Sequence, residues 1–75
     1  MYKYFISYMC SNESHVVFGN TVCNLEKKIT DLDTIMEIEN MIKESSIQQE
    51  KDEYVRYYYQ NSKVTILNYT LIGGK

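Results

Sequence analysis

Few residues in this chain have the type and spacing for covalent or metal chemistry. Its one histidine, His15, follows Cys10, Glu13 and the turn-forming run Ser11-Asn12-Glu13-Ser14. A Cys–His pair needs water exclusion and rigid support to act as nucleophile and base. An exposed turn supplies neither, so His15 reads as a solvated loop residue. Zinc would find at most three soft ligands in Cys10, His15 and Cys23. If the flanking segments form a hairpin, Cys10 sits near its turn and Cys23 near its open end. At roughly 3.3 Å per residue the thiols are then more than about 20 Å apart, too far for a shared metal or a disulfide. Gly73-Gly74 leads into no helix, so it makes no phosphate loop. No catalytic residue, metal or cofactor is assigned, and the chain is not expected to be an enzyme.

The chemistry that remains is recognition. Tyrosine is rigid, amphipathic and enriched at interfaces, and this chain has eight. Arg56 lies among Tyr54, Tyr57, Tyr58 and Tyr59. Aromatic rings stack on a base while a guanidinium forks to a phosphate. These five residues, with Tyr4 from the N-terminal segment, form the candidate ligand site. The plain reading is that tyrosines cover the second face of a small sheet. The acids form a second candidate surface. Asp31/Asp33 and Glu37/Glu39 are two apart, so each pair diverges around a helix instead of converging on one atom. Glu37, Glu39 and Glu44 are the candidate contacts to a protein partner, as an acidic face steers a basic one.

The elements that must position these groups follow from periodicity. Residues 2–9 alternate, with Tyr2, Tyr4, Ile6 and Tyr8 on one face and Lys3, Phe5, Ser7 and Met9 on the other. A second strand is predicted from Val16 to Leu25, with Gly19 marking a bulge or a close approach. Residues 31–45 read as a helix. Thr30 and Asp33 resemble a cap, acids fill the first turn, and Leu32, Ile35, Met36, Ile38, Met41 and Ile42 form a stripe. Ser45-Ser46 is expected to end it. Residues 47–60 allow a helix capped by Ser46 and Gln49, but Tyr54-Val55-Arg56-Tyr57-Tyr58-Tyr59 favours a strand. With a strand over 64–72 this gives a second hairpin. The expected fold is α+β, a small antiparallel sheet in ββαββ order with one amphipathic helix on one face. One domain spans 1–72 and a flexible tail 73–75. The core is expected from Phe5, Val17, Leu32, Ile35, Met36, Ile42, Leu67, Tyr69 and Leu71.

Composition narrows the class. The 75 residues are 44% hydrophobic, too apolar for a disordered tail and too few for two domains. A core this small is marginal alone, which favours a homo-oligomer. No run of about 18 apolar residues spans a membrane, and the N-terminus lacks a signal-peptide pattern. A cytoplasmic location with reduced thiols is the expectation. The net charge of −2 is unevenly placed. From Asp31 to Glu53, eight acids face two lysines, a local −6, and the remainder carries +4. Duplex nucleic acid is a disfavoured partner, because its binders carry a basic excess. Absent Ala and Pro, a single Arg and many Lys, Asn, Ile and Tyr match AT-rich coding.

Tyr4-Phe5-Ile6-Ser7-Tyr8, Phe18-Gly19-Asn20, the 35–42 helix and Val64-Thr65-Ile66-Leu67-Asn68-Tyr69 together resemble a loose group of small phage and mobile-element proteins of Firmicutes. Residues 47–62 look like an extension relative to its shorter members. The resemblance implies an accessory phage protein of the anti-defence class and assigns no individual residue. The expected function is non-enzymatic sequestration of a nucleotide-derived bacterial immune signal in the pocket of a homo-oligomer. The alternative is an anti-CRISPR-like inhibitor that docks on a bacterial defence protein through the acidic helix and tyrosines.

Overall fold

A computed structural model describes residues 1–74. The elements are β1 (Tyr2–Ser11), β2 (Val16–Leu25), α1 (Leu32–Gln49), α2 (Glu53–Gln60) and β3 (Lys63–Gly74). The strands form one antiparallel sheet in the order β2-β1-β3. The fold is α+β, but its order is β-β-α-α-β, not ββαββ. The correction lies in residues 47–60, which hold a helix in place of the expected strand. The Asp52 side chain caps α2, accepting from the Tyr54 N–H at 2.8 Å and the Val55 N–H at 3.4 Å. At the other end the Asn61 N–H donates to the Tyr57 and Tyr58 carbonyls. Tyr58 and Tyr59 then pack against the core, with the exposed Val55 one turn before them at helical spacing. Capping and tertiary packing outweigh the β-preference of tyrosine, which depends on context. Ser45-Ser46 does not end α1 either. The Ser46 hydroxyl donates to the Ile42 carbonyl one turn back, so the helix continues. Its N-cap is Asp31, which accepts from the Thr34 N–H and hydroxyl, in place of the expected Thr30 pairing.

The core lies between the helices and one face of the sheet. Side chains alternate along a strand, and the helices cover the tyrosine face of β1. Tyr4, Ile6 and Cys10 are buried there with Ile38 and Ile42 of α1, Val64 of β3 and Ile29 of the connecting loop. Complete burial of an isoleucine contributes roughly 1.5–3 kcal/mol, so Ile6 and Ile38, the most enclosed, anchor the two layers. Of the expected core, Ile42 is buried and Ile35 partly so. Phe5, Val17, Leu32, Met36, Leu67, Tyr69 and Leu71 are exposed. Phe5 falls on the opposite parity from Tyr4 and Ile6, and the buried stripe of α1 is narrower than the apolar one.

The hairpin turn is closed by Asn12, whose side chain accepts from the Ser14 and His15 N–H groups. β2 pairs with β1 in unbroken register from Tyr2–Leu25 to Ser11–Val16. β3 has two register shifts, where Leu67 and Ile72 have no partner on β1. Gly73 and Gly74, assigned to a tail by the sequence, pair with Lys3 and Tyr2, and Lys75 lies outside the described residues. Cys10 and Cys23 are free thiols paired with Val17 and Tyr4, near opposite ends of the hairpin. Among the described residues no helix is long and apolar enough to cross a membrane.

Candidate functional site

The predicted Arg56–tyrosine site is mostly committed to holding the fold. Arg56 reaches back from α2 and donates through Nε (3.2 Å) and Nη2 (2.7 Å) to the Glu50 carbonyl, just past the end of α1. The Glu50 carboxylate accepts from the Lys51 and Asp52 N–H groups. The helix junction is therefore fixed at both ends, and the Arg56 fork points at backbone. The Tyr58 hydroxyl donates to the Cys10 carbonyl at 3.0 Å. Tyr4 is buried, and its hydroxyl accepts from the Ile29 N–H at 3.0 Å. Tyr57 is exposed on the outer side of α2. Tyr54, Tyr58 and Tyr59 do come together, with Val55, Val17 and His15, around a shallow apolar hollow of about 340 Å³. There the Tyr58 and Tyr59 rings meet edge to face at 5.6 Å, and His15 meets Tyr58 at 6.4 Å.

The predicted acidic face divides. Glu37 and Glu44 are exposed and two turns apart, on one side of α1. Glu39 turns toward the sheet, where Oε2 accepts from the Ile66 N–H at 2.9 Å. The three carboxylates therefore do not form one surface.

A larger concavity, absent from the sequence reading, runs between α1 and β2. It encloses about 480 Å³. From α1 it is lined by Met41, Ser45 and Gln49 at i, i+4 and i+8, with Ile42 and Ser46 beside them. From the sheet it is lined by Tyr8 and by five consecutive β2 residues, Asn20 to Asn24. Consecutive strand residues point to opposite faces, so a hollow touched by all five runs along the outer edge of β2. Among the described residues no charged side chain lines it. Its polar side chains are the amides of Asn20, Asn24 and Gln49 and the hydroxyls of Tyr8, Thr21, Ser45 and Ser46. The Ser46 hydroxyl already donates to the Ile42 carbonyl, and the Asn20 amide oxygen accepts from the Ser7 hydroxyl on the sheet face away from α1. Tyr8 forms one end. Its ring lies across Gly19, where a Cβ atom would sit 2.7 Å from Cζ. The close approach signalled by Gly19 is thus to a side chain, without a bulge. Burial raises the Tyr8 hydroxyl above its ordinary 10.0, with Cys10 and Tyr59 adding to the effect, and raises the Cys23 thiol.

Two sequence signals carried this groove. One is the complete lack of charge from Val16 to Leu25; the other is the spacing of Ser45 and Gln49. Among the described residues no three His, Cys, Asp or Glu side chains gather in a way that holds a metal. No protein-family model, curated protein or solved structure matches the chain.

Proposed function

We propose that this protein is a non-enzymatic binding protein that sequesters a nucleotide-derived small molecule, with the base seated in the α1–β2 groove of a homo-oligomer. The observation that carries this reading is the groove lining of three amides and four hydroxyls, with no charged side chain among the described residues. Asn and Gln amides complement the paired donor and acceptor edges of bases. Concave sites of 300–1,000 Å³ with a few convergent polar groups are the usual small-ligand sites. With no cation among the described lining residues, the phosphates face the mouth. In a bacterial cytoplasm a phage-encoded protein of this kind withholds an immune signal from its sensor. The AT-rich residue usage and the phage-like segments support that setting.

Isothermal titration against cyclic mono- and dinucleotides, cyclic ADP-ribose isomers and the parent nucleosides tests the proposal. Binding is expected, with the tightest nucleotide and its nucleoside differing by less than about tenfold. Gln49→Ala and Ser45→Ala, both on the α1 wall, should each weaken it. Absence of heat with every compound at protein well above micromolar refutes it, and unchanged affinity in both variants removes the groove as the site.

A further inference from the structure

We infer that β2 pairs antiparallel with β2 of a second copy of this chain about a two-fold axis at Asn20. The result is a six-stranded sheet in which two α1 helices wall a shared cleft. This deepens the oligomeric part of the proposed function and rests on that part alone.

Exposed strand edges are normally guarded by charge, proline, bulges or cover. β3 is guarded. It has two register shifts, begins at Lys63, and its Ile66 N–H is taken by Glu39. β2 has none of these devices. It is ten residues long, without charge or proline, in unbroken register with β1, and α1 leaves its outer edge open along the groove. It also exposes Val16, Val17, Phe18 and Val22.

The pattern along β2 selects a second copy as the occupant. Residues directly opposite in an antiparallel pair lie on the same face, so a self-pairing strand must centre on a residue facing its own copy. Centred on Asn20, the amide faces its equivalent, and Phe18 faces Val22 of the second copy on both sides of the axis. On the sheet face without helices this extends the rows already set by β1. Met9 lies beside Phe18, Ser7 beside Asn20 and Phe5 beside Val22. Each apolar row meets an apolar row, and the Ser7–Asn20 hydrogen bond (3.0 Å) meets its own copy. Centring on Gly19 or Thr21 would set Asn20 against Phe18 or Val22 instead. The strand has no charge, so self-pairing costs no like-charge repulsion. The axis is perpendicular to the sheet and keeps both helical layers on one side. Between them the floor is Val17, Gly19, Thr21 and Cys23 from each copy, with no long side chain, so the helix-side parts of the two grooves join in one cleft, while the paired edge is covered and Asn20, Val22 and Asn24 face the other side of the sheet.

Light scattering on a sizing column at tens of micromolar should give twice the 8.9 kDa chain mass. Asn20→Lys and Asn20→Asp place like charges directly opposite at about 5 Å and should each weaken self-association roughly tenfold or more. An equimolar mixture of the two should restore the dimer. Circular dichroism and thermal melts verify that each variant folds. Phe5→Ser, on the central strand, should leave the dimer intact. A wild-type monomer up to millimolar concentration overturns the inference. So does a dimer insensitive to both charges, or a mixture that stays monomeric. Loss of the dimer in Phe5→Ser assigns the contact to the open sheet face and overturns edge pairing. Ligand binding is titrated separately, so the dimer and the proposed function can fail independently.

Discussion

Gly19→Ala isolates one steric contact. Gly19 sits in the regular β2 ladder opposite Tyr8, and its φ is not positive, so its backbone suits alanine. Strand propensity and the lower entropy of an unfolded alanine both favour the substitution, by roughly 0.4–1 kcal/mol from the latter. Opposing them is the ring of Tyr8. The new Cβ would lie 2.7 Å from Cζ and Oη and 2.9 Å from Cε2, well inside van der Waals contact. A ring turns only at χ1 and χ2, and this one is half-buried beside the core, so it must shift as a unit. Overpacking of this kind costs about 1–3 kcal/mol. The net expectation is a loss of about 1–2 kcal/mol, or roughly 4–8 °C in Tm per kcal/mol for a domain this size. Tyr8→Leu removes the three clashing atoms, so in that background Gly19→Ala should be neutral or stabilising. Urea unfolding of the four proteins closes a double-mutant cycle, with an expected coupling of at least 1 kcal/mol. Equal effects of Gly19→Ala in both backgrounds, or no loss in the first, refute the reasoning.

Three further outcomes follow from contacts described above. Tyr58→Phe loses the hydrogen bond to the Cys10 carbonyl and should cost about 1 kcal/mol by urea unfolding, whereas Tyr57→Phe on the exposed side of α2 should stay within about 0.5 kcal/mol. Arg56→Lys cannot reproduce the two-nitrogen contact to the Glu50 carbonyl and should lower stability about as much as Arg56→Met, by about 1 kcal/mol. The Asp31 carboxyl is held below its ordinary 3.8, first by the Thr34 N–H and then by the Thr34 hydroxyl. A lowered folded value contributes stability above the unfolded value and loses it as pH falls from 3.8 through the folded value. Thermal melts across that window should therefore fall more shallowly for Asp31→Asn than for the wild type.

Local patterns told where β1, β2 and α1 lie, because alternation and the helical stripe are properties of contiguous residues. They did not tell which sheet face the helices cover. Both faces of β1 carry aromatics, and Tyr4 is buried only because its hydroxyl finds the Ile29 N–H twenty-five residues away. Residues 53–60 differ from the preferred strand for a related reason: the tyrosine run favours a strand, and the Asp52 cap and the Arg56 tie make it a helix. Arg56 shows the limit for sites. Its neighbours suggested ligand binding, but its nearest acceptor is a main-chain carbonyl that no side-chain pattern reports. The α1–β2 groove is assembled from segments about twenty residues apart, each unremarkable alone.

The central strand has two partners at very different distances along the chain. β2 is reached across residues 12–15, and β3 only across residues 12–62. Closing the longer loop costs about 2 kcal/mol more in chain entropy by the logarithmic rule. The hairpin can therefore form on its own, but Tyr4, Ile6 and Cys10 have no lasting shelter until β3 and the helices dock together. Topology of this kind couples the whole molecule into one late step and sets a slower folding rate than its length suggests. During that wait the uncharged β2 edge is already made and already open, so the moment of greatest aggregation risk comes before the core closes.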